Sequence, residues 1–218
     1  MKWLKVWLRN RLGIVGIETA IVLIAFVVIA AALASVVINM GFYSSQKAKE
    51  TISRGLSEAS SALQLDGHVI GKTNNMHRLT ILVIPVKISV ARSEVDLNQN
   101  TTIVSVFGGN ATLLNIYNGV VNETSVGLEE DPKNLDEIIS SIFNNSYEPA
   151  AYCIIYNDDG DSILENFEKA FFIINLGAFS LQEYDKVKID IKPGEGTALT
   201  IILNVPGGLP QNDYVDLG

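Results

Sequence analysis

The amino-acid sequence predicts an α+β fold in which a long N-terminal hydrophobic helix is followed by an immunoglobulin-like antiparallel β-sandwich. Residues 14–38 form an almost uncharged apolar run, and about 20 such residues are enough to cross a bilayer as a helix. Beyond residue 66 the chain changes to short apolar, β-rich runs separated by turn residues, which is typical of a sandwich. These observations predict one long helix, residues 14–65, and one outer β-domain, residues 66–218.

The first 13 residues, 1–13, form a short basic leader without an acidic residue. Its charged residues are Lys2, Lys5, Arg9 and Arg11. Positive charge beside an apolar span favours the cytoplasmic side of a membrane. A secretory signal peptide has a shorter apolar stretch, of about 7 to 15 residues, and loses it on cleavage. Here the small residue Gly13 precedes the apolar run, so a cut after it would discard the leader, keep the hydrophobic segment and make Ile14 the first residue.

The predicted helix has two different halves. The first half is apolar all round, whereas in the second half apolar residues recur at three- and four-residue spacing among charged ones. These recurring residues are Ala48, Ile52, Leu56, Ala59 and Leu63. At 1.5 Å per residue, roughly fifty residues extend about 75 Å, which is more than one small domain can bury. Such a helix is stable either in a membrane or in a bundle of like helices.

The leader and the first part of the helix resemble the class III leader of type IV pilin-like proteins. Within that superfamily the sequence is similar to archaeal flagellins, also called archaellins. The matching features are Gly13 at the cut, Gly16 and Glu18 at the third and fifth mature positions, and INMGF-x-x-x-QKA at residues 38–48. The family usually has a basic residue directly before the terminal glycine, whereas this chain has Leu12. Gly16 therefore stays open as a second cleavage site.

This resemblance implies a structural subunit that inserts into the cytoplasmic membrane, is cut by a prepilin-type leader peptidase and polymerises through its helix. The implied product is the archaeal flagellum, or archaellum, an extracellular filament that drives swimming. The implied partners are copies of the chain or related archaellins, an assembly ATPase and a membrane platform. Two alternatives stay open: an adhesive archaeal type IV pilin, and an uncleaved membrane anchor for a binding ectodomain.

Glu18 is the single charged residue between residues 14 and 40. A carboxylate inside a membrane span costs about 2.5 to 3.5 kcal/mol on insertion scales and normally needs a partner. Cleavage would create one, because the new amino group of Ile14 is largely cationic at neutral pH and could pair with Glu18 of a neighbouring subunit. By resemblance, this pairing sets the register during assembly. The alternative interpretation is a glutamate near the membrane interface that reaches the lipid headgroups.

Charge and cysteine usage narrow the classes of function. The formal net charge is −8, and removal of the four leader positives lowers it to −12, which disfavours nucleic acid as a partner. An acidic surface suits a soluble extracellular exterior. The single cysteine, Cys153, excludes an intrachain disulfide and lies in an apolar run, so we expect a buried, inert thiol. His68 and His77 have no neighbouring cysteine or acid cluster and give no sign of catalysis.

Seven apolar runs predict the strands of the sandwich. They are residues 79–90, 101–107, 112–117, 151–156, 170–176, 186–191 and 197–205. Residues 136–143 predict an additional helical turn. The sequence has no phosphate-binding glycine loop, metal triad or nucleophile elbow, and we therefore expect a protein that is not an enzyme.

Residues 157–165, NDDGDSILE, gather oxygen-bearing side chains around a glycine. Hard cations such as Ca²⁺ prefer such turns. The candidate ligands are Asn157, Asp159, Asp161 and Glu165. The spacing of an EF-hand is not satisfied, so a structural Ca²⁺ site is one interpretation and a solvated hairpin turn is the other. No cofactor is required in either case. Similar loops followed by L-x-x-x-E-K occur in archaellins, so the resemblance extends to Glu168 and Lys169.

Four N-x-S/T sequons lie in the predicted outer domain. Their asparagines are Asn100, Asn110, Asn122 and Asn144. An oligosaccharide needs an exposed site in an extracytoplasmic domain, and these sequons cluster near predicted strand ends and loops. Archaellins are commonly N-glycosylated, so the resemblance and the motif both predict at least one occupied site.

Overall fold

The computed structural model describes residues 3–90, 92–108, 111–121, 134–144 and 146–218. It divides into two compact units, residues 1–54 and residues 55–218. The first unit is helical, and the second is a β-sheet-rich domain with its own hydrophobic core. The prediction of a long apolar helix followed by a β-domain is therefore confirmed.

Helix α1 extends over 57 residues, Trp3–Ala59. It therefore includes the backbone of most of the leader, and it ends six residues before the predicted boundary at Leu65. The amide of Ser60 still donates to the carbonyl of Leu56, at 2.9 Å, and closes the last turn. The chain then becomes strand β1, Leu63–Leu65, because these residues bond to the long strand β3. The helical spacing of apolar residues continues through Leu63, but the pairing of this segment with β3 makes it a strand.

The β-domain contains thirteen strands among the described residues. They are β1 Leu63–Leu65, β2 Ile70–Thr73, β3 Leu79–Ile88, β4 Glu94–Asp96, β5 Ile103–Phe107, β6 Thr112–Leu113, β7 Tyr117–Val121, β8 Ala150–Tyr156, β9 Ile163–Glu165, β10 Lys169–Asn175, β11 Lys186–Lys192, β12 Leu199–Asn204 and β13 Tyr214–Asp216. The large sheet has the order β13-β2-β3-β10-β8-β7, with β1 also paired with β3. The small sheet has the order β12-β11-β5-β6, and β4 pairs with β9 in a separate ribbon.

The two sheets enclose one hydrophobic core, to which both contribute alternate residues of their strands. In β11, for example, Val187, Ile189 and Ile191 are fully buried, whereas the lysines between and beside them are exposed. This period of two is what a strand with one buried face produces. The same core takes in Cys153 of β8, which confirms the prediction of a buried thiol. Burial raises the pKa of that thiol, so it is kept in its protonated, unreactive form.

A second, smaller hydrophobic cluster lies beneath helix α2, Leu135–Phe143, which confirms the predicted helical turn. Its buried residues Ile138, Ile139 and Phe143 pack on the large sheet. The first turn is attached to the sheet edge by Asp136, whose Oδ1 accepts from Lys72 Nζ at 2.5 Å and from the Tyr214 hydroxyl. These two hydrogen bonds hold the pKa of Asp136 below its usual range.

The strand predictions are wrong in two places. The run at residues 112–117 is broken, because Asn115 has a φ of 49°, in the left-handed region, and the chain there passes from the small sheet to the large one. The all-antiparallel prediction also fails at one edge, where β7 runs parallel to β8. Parallel neighbours need a crossover, and the connection that contains α2 supplies it.

Asp66 ties together the segment that follows the helix. Its carboxylate oxygens lie 2.7 Å from Lys87 Nζ and 2.8 Å from Lys169 Nζ, on β3 and β10. Its backbone amide donates to the carbonyl of Pro85, at 3.0 Å. The hydrogen bonds from Lys169 and Lys87 hold the pKa of the Asp66 carboxyl below its ordinary value of 3.8.

Asp66→Asn should lower the stability of the β-domain in a pH-dependent way. The folded-state pKa lies below the unfolded value, so the ionised form stabilises the fold above about pH 4, and this contribution is lost as the pH falls through the folded pKa. Because both lysines are partly exposed, the loss at pH 7 should be below about 1 kcal/mol. Thermal unfolding of the detergent-solubilised chain measures it, with the exposed Glu148→Gln as control. A difference from wild type that persists unchanged in acid would contradict this account.

Candidate assembly interface

The most unusual surface of the molecule is the helix segment Gly16–Leu56. Every described side chain of this segment is exposed, including large apolar ones such as Leu23, Phe26 and Leu33, each more than 60% exposed. Among the described residues this is the one helix long and apolar enough to cross a membrane. A soluble domain rarely leaves so much contiguous apolar surface in water. The segment is therefore a surface that another apolar environment must cover.

Covering this helix releases much more free energy than a single binding site usually does. Full burial of one Val, Leu, Ile or Phe side chain contributes about 1.5–3 kcal/mol, so burying ten of them gives roughly 15–30 kcal/mol as an upper estimate. The helix bonds its own backbone groups and can therefore enter either lipid or a helix bundle. The small residues of the stretch 30–35, AAALAS, allow close approach of neighbouring helices.

Glu18 and Gly16 lie on this exposed apolar segment, near its start. A Cβ built on Gly16 would meet no heavy atom within 4 Å, so the space beside this glycine is open. Gly13 and Ile14 lie in the helical backbone of α1, in a part of which only the backbone is described. The predicted cleavage site and the predicted pairing of Ile14 with Glu18 therefore stay predictions.

The second half of α1 changes character, as predicted from the sequence. Glu50 accepts from Lys47 at 3.0 Å and from Arg54 at 2.7 Å, through spacings of three and four residues. All three side chains are exposed, so these pairs stabilise the helix by only a few tenths of a kcal/mol each, about 0.3–0.5. Their main effect is to make this part of the helix compatible with water.

The predicted cation ligands are partly brought together. The carboxylates of Asp158, Asp159 and Asp161 lie within 4.8 Å of one another, whereas Glu165 is outside this group. Asp158 Oδ1 is buried and accepts no hydrogen bond from the described residues. A buried, unpaired carboxylate oxygen is costly, and a hard cation would satisfy it. Two of the four predicted ligands, Asp159 and Asp161, are thus grouped with Asp158, and a structural Ca²⁺ at this turn stays a prediction.

Asp158 is not among the four candidate ligands named from the sequence, although it lies in the same acidic run. The signal available was the run of two aspartates before Gly160, whose φ of 103° turns the chain back on itself. The L-x-x-x-E-K motif has a structural role here. The buried Glu168 accepts from the Glu165 amide at 2.9 Å, and burial raises the pKa of its carboxyl against that hydrogen bond.

Two of the four sequons can be placed. Asn100 is exposed in the turn before β5, but its side-chain amide donates to Asn98 Oδ1 at 3.2 Å, and the hydroxyl of the buried Thr102 donates to the carbonyl of Asp96. Asn144 is exposed at the end of α2, with a φ of 48°. Asn110 and Asn122 lie outside the described residues. Glycan occupancy stays a prediction at all four.

The histidines take part in loop contacts. His68 Nδ1 lies 3.2 Å from an Asp216 oxygen, and His77 contacts the carbonyl of Leu209 through Nδ1 at 2.6 Å. Neither histidine belongs to a metal-ligating group among the described residues.

An exposed apolar helix joined to a β-domain with its own core is the architecture expected of a pilin-like filament subunit. The sequence matches the archaeal-type flagellin family over residues 13–203, a match that begins at the predicted cleavage glycine. The chain belongs to the archaeal-type flagellin family. It is a structural subunit of the extracellular archaellum filament and polymerises with copies of itself or with related archaellins. The family is a structural one and not a class of enzymes.

A relative in sequence agrees with this assignment, and solved structures share the fold. The chain is 43% identical to probable flagellin 1 of Aeropyrum pernix, over 97% of this chain and 100% of that protein. The fold is similar to the crystal structure of archaeal flagellin FlaB1 from Methanocaldococcus jannaschii, with a TM-score of 0.57 and 17% identity, over 72% of this chain and 97% of the other. It is also similar to the archaeal flagellum of Methanospirillum hungatei strain JF1, with a TM-score of 0.50 and 22% identity, over 93% and 99%.

Proposed function

We propose that this archaellin is made as a membrane-inserted precursor, loses residues 1–13, and then transfers its helix from lipid into the core of the swimming filament. The observation that carries this proposal is the exposed apolar segment Gly16–Leu56, which suits both environments. Lipid covers it before assembly, and neighbouring helices cover it afterwards. The filament needs no catalytic group of its own. The leader peptidase, the assembly ATPase and the membrane platform are separate partners.

Mass spectrometry of the N-terminus tests the proposed processing in material sheared from the cell surface. We expect filaments whose subunits begin at Ile14, because a cut after Gly13 removes the basic leader and keeps the apolar helix. Gly13→Phe should stop processing and leave precursor in the membrane, whereas Gly16→Ala should be processed normally.

Three results would oppose this scheme. Subunits that begin at Ile17 would assign the cut to Gly16. An intact leader found only in membranes would support a permanent anchor. Filaments of correctly processed subunits that serve attachment, in cells that swim normally without them, would support an adhesive pilus.

We also propose that Glu18 pairs with the new amino group of Ile14 on a neighbouring subunit. Glu18→Gln keeps the size and removes the charge, so it should leave membrane insertion intact but strongly reduce the amount of filament. Glu18→Asp, the matched control, should retain most assembly. The measurement is the ratio of filament to membrane subunits by quantitative immunoblotting. If Glu18→Gln assembles like wild type, the glutamate acts only at the lipid interface.

The acidic turn is proposed to hold a structural Ca²⁺, supported by the close carboxylates of Asp158, Asp159 and Asp161. Saturating Ca²⁺ at about 100 times its dissociation constant should stabilise the β-domain by about 2.7 kcal/mol. For a domain of this size that corresponds to a rise of the melting temperature by roughly 5–10 °C.

Asp158→Asn should abolish this Ca²⁺-dependent rise, whereas Asp185→Asn, in a distant turn, should keep it. Thermal unfolding of the full chain in detergent, with Ca²⁺ or with EDTA, measures both. Equal melting temperatures of the wild type with and without Ca²⁺ would leave the loop as a solvated turn.

A further inference from the structure

The outer face of the small sheet carries a basic stripe on an otherwise acidic protein. Lys186, Lys188 and Lys192 alternate with buried residues of β11 and therefore point away from the core. Lys188 is paired with Asp190 at 2.7 Å, whereas Lys186 and Lys192 are exposed and belong to no ion pair among the described residues. Ile202 of β12, 60% exposed, pairs with Lys188 across the sheet. We call these lysines and Ile202 the lysine face.

A second surface has the opposite charge. The ribbon of β4 and β9 places Glu94 directly opposite Glu165, and both side chains are exposed. Like charges at directly opposite positions destabilise a strand pair, so this arrangement costs free energy in the isolated chain. The turn after Glu165 presents Phe167 with 92% of its surface exposed. We call Glu94, Glu165 and Phe167 the acidic patch.

A helical filament needs two such different surfaces. Subunits in an open helical array meet head to tail, so one patch of the chain must fit a different patch of its neighbour. The outer domains are also close together in a filament and carry the same net charge, which is −12 for a whole chain after loss of the leader. Repulsion between them weakens assembly unless opposite charges face each other at the contact.

We propose that the lysine face of one subunit docks on the acidic patch of a neighbouring copy in the filament. Lys186 and Lys192 stand about 20 Å apart along β11, so the one at the end of the lysine face that meets the patch lies against Glu94 and Glu165 and relieves their mutual repulsion. Ile202 and Phe167, both exposed in the single chain, supply the apolar part of the contact. The inference rests on the proposed polymerisation through α1, which brings the outer domains side by side.

This contact does not compete with the proposed cation. The carboxylates grouped at the acidic turn are Asp158, Asp159 and Asp161, and neither glutamate of the acidic patch is among them. The effect of reversing the charges of the patch can therefore be distinguished from the effect of losing a cation.

A charge swap in filaments of the full chain tests the proposal. The reversed face is Lys186→Glu/Lys192→Glu, and the reversed patch is Glu94→Lys/Glu165→Lys. Each should leave about tenfold more subunits unassembled in the membrane, because like charges then meet at every repeat of the contact. The chain that carries all four substitutions should recover most of the filament, since the charges are again complementary. Met76→Glu/Tyr147→Glu adds two exposed carboxylates elsewhere and should assemble like wild type.

Recovery of the filament by the four combined substitutions is the decisive result for this contact. Four substitutions that assemble no better than the poorer double variant would overturn the proposal, as would a control that assembles as poorly as the reversed face. If the reversed patch impairs assembly and the reversed face does not, the proposal is also overturned, because the patch then contacts a different partner. Thermal unfolding of each variant in detergent shows whether the β-domain still folds. Failure of wild-type subunits to form filaments that begin at Ile14 would instead refute polymerisation itself.

Discussion

The whole molecule depends on one constraint, which is that the apolar surface of the long helix needs an apolar environment to cover it. The exposed segment Gly16–Leu56 is apolar around its full circumference in its first half, and the β-domain closes a separate core without it. The segment must therefore be covered by lipid or by other subunits. Lipid meets this requirement before assembly and neighbouring subunits meet it in the filament, and the free energy of helix burial is large enough to hold a filament together.

The β-domain, unlike the helix, buries its apolar residues within itself. Its two sheets supply their own core, and α2 closes the exposed face of the large sheet with a second cluster. Asp66 fixes the segment that leaves the helix by bridging Lys87 and Lys169, so the first strand is held where the helical pattern ends. A domain that folds before assembly can present charged outer surfaces, whereas burial of the helix supplies the free energy that holds the subunits together. The hydrophobic effect that buries the helix is non-directional. Contacts between the outer domains are therefore well suited to determine how neighbouring subunits are oriented.

Much of this architecture could be predicted from the sequence, because its signals are local and strong. The apolar run, the basic leader, the helix at residues 136–143 and the longer strands all follow from periodicity and charge. What was missed depends on tertiary pairing. The end of α1 is set by the bonds of Leu63–Leu65 to β3, and the parallel pair β7–β8 by a crossover. Short strands such as β4 and β9 lack a long apolar run, so neither they nor the Glu94–Glu165 pair could be predicted. The loop places Asp158 beside Asp159 and Asp161 and leaves Glu165 out of that group, a grouping that depends on loop geometry, and cation binding there stays a prediction.

Cryo-electron microscopy of sheared filaments tests the central claim most directly. The account predicts a core in which residues 21–38 contact only α1 helices of neighbouring subunits, with the β-domains outside. The Glu18 carboxylate should lie within about 4 Å of the Ile14 nitrogen of another subunit, as an ion pair requires. A filament in which α1 lies on the exterior, or packs only against its own β-domain, would contradict the account.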